Sequence, residues 1–210
     1  IPLMVKLTAE MVKRTHLPLT VKTRLGWDYD SIKIVEVAER LQDVGIKAIS
    51  IHGRTRAQMY KGDADWKPIS AVKNNSRMHI PVFGNGDVNS PERAVEMRDR
   101  YGLDGAMIGR ASIGNPWFFN QVKHYFKTRA HLEKPSIQDR VALAKRHLEM
   151  SIGWKGDVLG VLETRRHYTN YFKGIKNFKL YRTAMVTAND AQEVFNTFDR
   201  VLEEVIDPAW

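Results

Sequence analysis

The stretch Lys47-Ala-Ile-Ser-Ile-His-Gly-Arg-Thr-Arg56 decides the fold. Its apolar run ends abruptly at His52, which is followed by a glycine and two arginines. Buried parallel strands have near-continuous apolar sequences, and in α/β barrels they carry chemistry at their carboxyl ends. The stretch therefore predicts a buried parallel strand over 48–52 that presents polar groups at its C-terminal end.

Further runs with the same layout lie on both sides of this strand. They are Leu19–Arg24, Ile80–Gly84 with the following Asn85-Gly86-Asp87, and Asp104–Gly109 with the following Arg110. Helical patterns are predicted near the N-terminus, over 31–44, over 69–73, and from Pro91 to about 101, where Ser90 is the N-cap. Alternating strands and helices indicate a parallel α/β sheet.

After Gly114-Asn115-Pro116-Trp117 only helical patterns follow, over 118–127, 137–152, 159–172 and 191–206. Lys134-Pro135-Ser136 marks a boundary, because proline before a serine N-cap commonly precedes a new helix. We therefore predict two domains, an α/β domain over 1–134 and an all-helical domain over 135–210.

Composition limits the classes of function. There are 33 Lys plus Arg against 24 Asp plus Glu, which suits a polyanionic partner. Cysteine is absent, so thiol chemistry must come from outside this chain and a cysteine metal site is excluded. The sequence has neither a membrane-spanning apolar stretch nor an N-terminal signal pattern, and we expect a soluble cytoplasmic protein without a membrane partner.

The basic charge is concentrated in the first part of the helical domain. Residues 140–182 hold ten Lys plus Arg against three acids, whereas 183–210 hold one Arg against six acids. Arg165, Arg166 and His167 lie beside Tyr168, a mixture that suits phosphate contact and base stacking. The alternative is a solvated basic helix face with Tyr168 and Phe172 packed inward.

The ends of the last two strands suit an anion. Gly84-Asn85-Gly86-Asp87 and Gly109-Arg110 place glycines where backbone N–H groups can approach a phosphate, and Arg110 adds a charged donor. These glycines also fit tight turns alone.

Two side chains are candidates for contact with an electron-rich ring. Lys22 and Arg24 are two residues apart on one strand, so they share a face, and Lys22 would point into the mouth of a barrel. Lys22 could instead pair with a structural carboxylate. His52 could donate a hydrogen bond to a ring carbonyl, or could be satisfied within the protein.

Long strings of the sequence resemble the tRNA-dihydrouridine synthase family, nearest its bacterial B-type branch. They are VKTRLGWD (21–28), IHGRTRAQMYKGDADW (51–66), PVFGNGD (81–87), DGAMIGRASIGNPWFF (104–119) and RRHYTNYFKG (165–174). The resemblance implies a TIM (β/α)8 barrel that binds FMN, followed by a helical tRNA-binding domain. The implied activity is reduction of tRNA uridine to 5,6-dihydrouridine with NADPH.

The resemblance also implies roles for individual residues. Lys22 would contact the flavin ring near its N1 and O2 edge, and His52 would lie against the polar edge of the ring. The ribityl chain and phosphate would be held by Asn85, Gly86, Asp87, Gly109 and Arg110. Arg54 and Arg56 would lie near the tRNA backbone, while Arg165, Arg166 and His167 would lie in the helical tRNA-binding face.

The chain lacks two features of the family pattern, a catalytic cysteine and the first half of the barrel. The family carries a catalytic cysteine after its fourth strand, and this chain has none. The four predicted strands match the fifth to eighth of the barrel, so we expect a C-terminal half-barrel that needs the N-terminal half as a partner and contributes no catalytic acid of its own. Alternatives are a non-catalytic tRNA-binding fragment, or another FMN-dependent barrel such as a dihydroorotate or dihydropyrimidine dehydrogenase.

Overall fold

The computed structural model describes residues 1–205. The chain forms two compact units. The first comprises Ile1–Ala111 and Phe119–His131, and the second comprises Ser112–Phe118 and the chain from Leu132 onward.

The first unit alternates helices and strands. Its elements are α1 (Pro2–Arg14), β1 (Thr20–Arg24), α2 (Ile34–Asp43), β2 (Ala48–His52), α3 (Lys67–Lys73), β3 (Val82–Asn85), α4 (Pro91–Arg100) and β4 (Gly105–Met107), followed by a 3-10 turn at Arg110–Ser112. Ser90 caps α4 as predicted, accepting a hydrogen bond from the Arg93 N–H. The strands lie within two residues of their predicted bounds.

The four strands form one parallel sheet in the order β1-β2-β3-β4. Lys22 pairs in register with Ser50, and Arg24 pairs with His52. His52 in turn pairs with Asn85, and Asn85 with Met107. The predicted α/β class with a parallel sheet is therefore confirmed.

The two faces of the sheet differ in chemistry. One face carries Ile49, Ile51 and Val82, which are completely buried. Gly84 on this face lies so close to the Trp66 ring that a Cβ would collide with it. The opposite face carries polar side chains on three strands, namely Lys22, Arg24, Ser50, His52 and Asn85, together with the apolar Phe83 and Met107. Side-chain direction alternates along each strand, so the apolar face forms the core and the polar face is left for a site.

Both outer strands have an open edge among residues 1–205. β1 pairs only with β2, and β4 pairs only with β3. On α1, which precedes β1, Leu3, Leu7 and Met11 are exposed by more than half. Natural proteins usually cover or close such edges, because unpaired backbone groups attract other strands.

The second unit is helical in the part of the chain that the structure describes. Its helices are α6 (Ile137–Lys155), α7 (Asp157–Tyr171), α8 (Lys179–Thr187) and α9 (Ala191–Glu204). The preceding helix, α5 (Phe118–Thr128), belongs to the first unit from Phe119 onward. Ser136 and Asp139 form a capping box at the start of α6. Buried side chains from α6, α7, α8 and α9 form one core that includes Leu148, Tyr168 and Phe198.

The sequence did not predict α8. It begins without a side-chain cap at Phe178, and only Met185 within it is buried. The turn between α6 and α7 is shorter than predicted, because Gly156 alone separates them with φ 80°. The predicted end of the last helix, Ile206, lies outside the described residues.

Candidate functional site

Four residues form a row across the carboxyl ends of the strands. Arg24, His52, Asn85 and Met107 are in register on β1 to β4. The Asn85 side chain donates from Nδ2 to the Met107 carbonyl over 2.8 Å, which ties the last two strands together. The row places a cation, an imidazole and an amide at one edge of the sheet.

A cavity of about 660 Å³ opens above this row. All seven residues predicted to bind a cofactor line it: Lys22, His52, Asn85, Gly86, Asp87, Gly109 and Arg110. Arg24 and Tyr60 line it as well. Sequence reasoning had not assigned these two to the site, although Arg24 shares a strand face with Lys22.

The turn after β3 is held in a special conformation. Gly86 has φ 124° and Asp87 has φ 54°, values that favour glycine and tolerate aspartate. A Cβ on Gly86 would lie 2.5 Å from the Ala64 Cβ. The Trp66 Nε1–H donates to the Gly86 carbonyl over 3.2 Å, which fixes the turn against the core. Position 86 therefore requires glycine for two reasons, because its backbone packs closely against Ala64 and because its φ angle is positive.

Arg54 is buried beneath the cavity, with only 2% of its surface exposed. Its Nη2 donates to both oxygens of Asp87, at 2.9 and 2.7 Å, and to the Gly62 carbonyl at 2.5 Å. A guanidinium that is enclosed in this way has no surface to offer a nucleic acid. The predicted contact of Arg54 with the tRNA backbone is therefore corrected: Arg54 fixes the loops that build the cavity.

Asp87 is ionised beside two arginines. Burial opposes ionisation, but hydrogen bonds from the Ala64 N–H and Arg54, together with the charges of Arg54 and Arg110, lower the pKa of its carboxyl. Arg110 is more than half exposed and lies 3.3 Å from the Asp87 Oδ1. Its guanidinium also lies 4.7 Å from the Tyr60 ring centre, at the mouth of the cavity.

His52 is neutral at physiological pH. Burial and the charges of Arg24, Lys22 and Arg54 lower its pKa from 6.5 to about 4, against the opposing effect of Asp87. The Arg54 Nη1 lies 3.3 Å from the His52 Nε2. Because a guanidinium can only donate, Nε2 must accept, and the ring proton is on Nδ1. His52 therefore presents one N–H donor.

Lys22 carries a positive charge at the cavity wall. Among residues 1–205 it has no carboxylate within ion-pair distance, so the alternative of a structural ion pair is not favoured. Arg24 differs, because its Nη1 donates to the carbonyls of Thr55 and Met59, at 2.8 and 2.9 Å. The cavity thus combines fixed cations with one paired carboxylate, which suits an anionic ligand.

Arg56, the other arginine predicted to meet tRNA in this unit, is exposed. Its guanidinium lies 6.0 Å from the ring centre of Trp27, which is 68% exposed. The position of Arg56 is compatible with contact to a large anionic partner.

Arg165, on α7 of the second unit, is engaged within the protein. Its Nε donates to the Ala188 carbonyl over 3.1 Å, and its Nη2 donates to Ala188 and to the Asn189 side chain. Ala188 is the C-cap of α8, where a cation is favourable because the last carbonyls lack partners. Arg165 is only partly buried, and its guanidinium holds the end of α8, so its place in a tRNA-binding face stays a prediction.

Arg166 and His167 lie next to each other on the surface of α7. Arg166 is exposed, and its Nε contacts the His167 Nε2 over 3.3 Å. The His167 ring lies 4.9 Å from that of His147, and burial, with the charges of His147, Arg166 and Lys155, lowers the pKa of His167. Of the three predicted residues, Arg166 is exposed and Arg165 and His167 are partly buried.

The aromatic residues of α7 are part of the core. Tyr168 is completely buried, and Tyr171 and Phe172 are nearly so. The Tyr168 ring packs edge-on against Phe198 at 5.7 Å. The expectation that Tyr168 stacks a base is therefore wrong, and the inward packing of Tyr168 and Phe172 is confirmed.

Other cations of the second unit surround a cleft of about 340 Å³. Lys173, Lys179 and Arg182 line it, beside Gly174 and Asn177. All three cations are exposed. They lie in the predicted basic part of the helical domain, although the sequence had pointed to Arg165–His167 as its centre.

Comparison with known proteins identifies the group to which these features belong. The family model described as dihydrouridine synthase (Dus) matches residues 2–206. The chain belongs to the dihydrouridine synthase family. The resemblance inferred from the strand-end strings is thereby confirmed.

Several curated members of the dihydrouridine synthase family are similar along most of this chain. It is 38% identical over 192 residues to the probable tRNA-dihydrouridine synthase 1 of Synechocystis, covering 91% of this chain and 53% of that protein. It is 37% identical over 182 residues to tRNA-dihydrouridine synthase B of Pseudomonas putida, covering 87% and 53%. The corresponding protein of Vibrio cholerae is 32% identical over 195 residues, covering 93% and 60%.

This dihydrouridine synthase family chain spans about half the length of the curated relatives it matches. Among its residues 1–205, no helix combines the length and apolar character needed to cross a membrane.

Proposed function

We propose that this chain provides half of a flavin-dependent enzyme that reduces uridine in tRNA to 5,6-dihydrouridine, with NADPH as the source of electrons. The observation that carries the proposal is the convergence of Lys22, His52, Asn85, Asp87 and Arg110 on one cavity at the carboxyl edge of a parallel sheet. Such edges hold the active sites of α/β barrels, and the family membership supports the same reaction.

The cavity fits FMN in size and in chemistry. Its volume of about 660 Å³ lies in the range of cofactor pockets. Gly109 has no atom within 4 Å of a Cβ position, so its backbone faces open space where a phosphate could approach. Arg110 would hold the phosphate, and the turn Asn85–Asp87 would hold the ribityl chain. FMN bound there would supply hydride chemistry.

Lys22 would stabilise negative charge on the flavin ring. Its ammonium faces the cavity without a carboxylate partner among the described residues, and a cation next to a ring that gains negative charge on reduction lowers the energy of the reduced form. His52, neutral and protonated on Nδ1, would donate a hydrogen bond to a polar atom of the ring without adding a charge.

In the proposed enzyme, four further strands would complete the four-stranded sheet that residues 1–205 form. The open edges of β1 and β4 and the polar inner face both suit closure into an eight-stranded barrel, in which these four would be the fifth to eighth strands. The N-terminal half of the barrel would be the partner. The exposed leucines of α1 would pack against a neighbouring helix of that half.

The proton donor for uracil C5 would also come from that half. A positioned acid is needed to protonate the carbon opposite the site of hydride addition. The chain has no cysteine. We therefore infer that the family's cysteine is supplied by the partner half, and that this chain alone does not make dihydrouridine.

The helical domain, 135–210, would bind tRNA, and the barrel domain, 1–134, would hold the flavin. The exposed cations Arg166, Lys173, Lys179 and Arg182 offer several phosphate contacts on one helical unit. The protein would act in the cytoplasm, where tRNA is modified.

A chimaera tests the proposal. This chain would replace the matching segment of tRNA-dihydrouridine synthase B from Pseudomonas putida, in a strain that lacks dihydrouridine synthases. We expect dihydrouridine to return in the tRNA, as measured by mass spectrometry of nucleosides. The same chimaera with Lys22→Met should retain flavin and form dihydrouridine more slowly. A chimaera that is folded and flavin-loaded but forms no dihydrouridine would overturn the proposal.

A further inference from the structure

The loops after β1 and β2 are joined by their backbones. The Arg56 N–H donates to the Gly26 carbonyl over 2.9 Å, and the Ala57 N–H donates to the Trp27 carbonyl over 2.7 Å. These bonds extend the contact between the two strands beyond their ends. They set the Trp27 indole and the Arg56 guanidinium side by side, with 6.0 Å between the guanidinium carbon and the ring centre.

The loop that carries Trp27 is held in one shape. The Ser31 Oγ accepts hydrogen bonds from the N–H groups of Trp27 and Asp28, both at 2.9 Å. The Asp28 carboxylate accepts in return from the Ser31 N–H at 2.9 Å. Gly26 permits this turn, since a Cβ there would lie 2.5 Å from the Ser31 carbonyl oxygen. None of these bonds uses the indole.

The indole is therefore presented to solvent by a fixed loop. Trp27 is 68% exposed, although tryptophan usually hides most of its surface. Among residues 1–205, Arg56 has no carboxylate within ion-pair distance, and its Nη1 contacts only the Met59 sulfur, at 3.1 Å. An exposed ring beside an uncompensated cation suits a ligand with both a flat aromatic group and a negative charge.

The position of Trp27 and Arg56 relative to the cavity restricts the kind of ligand that could bind them. Trp27 and Arg56 line a groove of about 880 Å³, which Arg24 also lines. Arg24 lines the cavity as well. The two spaces therefore share Arg24 as a lining residue, so a chain molecule with one unit at the cavity could place a neighbouring unit in the groove.

We propose that Trp27 stacks on the nucleobase next to the target uridine and that Arg56 contacts the phosphate of that nucleotide. The inference rests on the proposed function. A uridine that enters the cavity must leave its stack, and this costs free energy that the protein has to offset. Stacking on Trp27 replaces the contact that the neighbouring base loses, and any base can supply it, because every base has an aromatic face.

Binding measurements with the 210-residue chain and an unmodified tRNA transcript test the proposal. Trp27→Ala should weaken binding about 5- to 150-fold, because removing a base-stacking side chain has effects of this size. The dependence of the affinity on salt should not change, since the indole is uncharged. Arg56→Ala should lower the slope of log affinity against log salt by about 1. Trp27→Phe, which can still stack, should retain most of the affinity.

A second RNA isolates the stacked base. In a single-stranded heptamer with one uridine and abasic residues on both sides of it, Trp27→Ala should change the affinity by about twofold or less, since no neighbouring base remains to stack. Phe119→Ala is the control, because Phe119 is 45% exposed and belongs to the same unit as Trp27 but lines neither the cavity nor the groove. It should bind tRNA as the wild type does.

The outcomes separate the inference from the proposed function. If the wild-type chain does not bind tRNA, both are overturned. If it binds and Trp27→Ala binds equally well, the inference alone fails. An equal loss for Phe119→Ala, or for the abasic heptamer, would also overturn it, because the effect would not then depend on a base placed on Trp27.

Discussion

Arg54 and Asp87, 33 residues apart in the chain, form an ion pair at 2.7 Å beneath the cavity. The pair joins the loop after β2 to the turn after β3. The Arg54 side chain is only 3% exposed and that of Asp87 is 26% exposed, so solvent does little to weaken their attraction.

Arg54→Met should destabilise the protein. The change leaves the Asp87 carboxylate and the Gly62 carbonyl without their donor, and we expect the free energy of unfolding to fall by about 2 to 3 kcal/mol. Urea denaturation measures this. Arg93→Met is the control, since the exposed Arg93–Glu96 pair should contribute less than about 1 kcal/mol. Equal effects of the two substitutions would show that the buried pair does not organise the site.

The free energy of unfolding should decrease as the pH is lowered, because of His52. Its folded pKa of about 4 is below the ordinary value of 6.5, so the unfolded chain takes up the proton first as the pH is lowered. The contribution of His52 is complete above pH 6.5 and is lost between 6.5 and about 4. In His52→Gln, stability should depend less on pH over this window. Urea denaturation at each pH gives the free energy of unfolding of the wild type and of His52→Gln. If the two plots against pH are parallel, the lowered pKa of His52 is contradicted.

Lys22→Met should lower the reduction potential of bound flavin, because the substitution removes a positive charge that favours the anionic reduced ring. Spectroelectrochemical titration of the flavin-loaded chimaera measures the potential. Lys47→Met is the control, since Lys47 is also exposed but precedes the amino end of β2. An unmoved potential in Lys22→Met would show that the lysine does not interact with the ring.

Arg165 and Arg166 should behave differently although they are adjacent. Arg165→Ala removes the donor to the end of α8 and should cost about 1 to 2 kcal/mol of stability. Arg166→Ala should leave stability nearly unchanged and lower the salt slope of tRNA binding by about 1. Denaturation and binding across a salt series measure the two effects. The reverse pattern would contradict the positions of these side chains.

The same residues show how far the sequence could predict the site. Periodicity located the four strands because each apolar run ends in a glycine or a charge, and register then brought the strand-end residues into one cavity. Which arginine of His52-Gly-Arg-Thr-Arg56 turns inward could not be predicted, since it depends on Asp87, which is distant in sequence. The contacts of Arg165 could not be predicted for a related reason, because its partners Ala188 and Asn189 follow α8, a helix without a side-chain cap that the pattern did not reveal.

The binding of FMN compared with riboflavin, titrated into the 210-residue chain by flavin fluorescence, tests the central claim most directly. The cavity has its anion-binding groups at the turn after β3 and at Gly109-Arg110, so FMN should bind at least about tenfold more tightly than riboflavin, which lacks the phosphate. Arg110→Ala should remove most of this difference. Equal affinity for the two flavins, or a preference for FMN that Arg110→Ala leaves intact, would contradict the assignment of the phosphate to these loops.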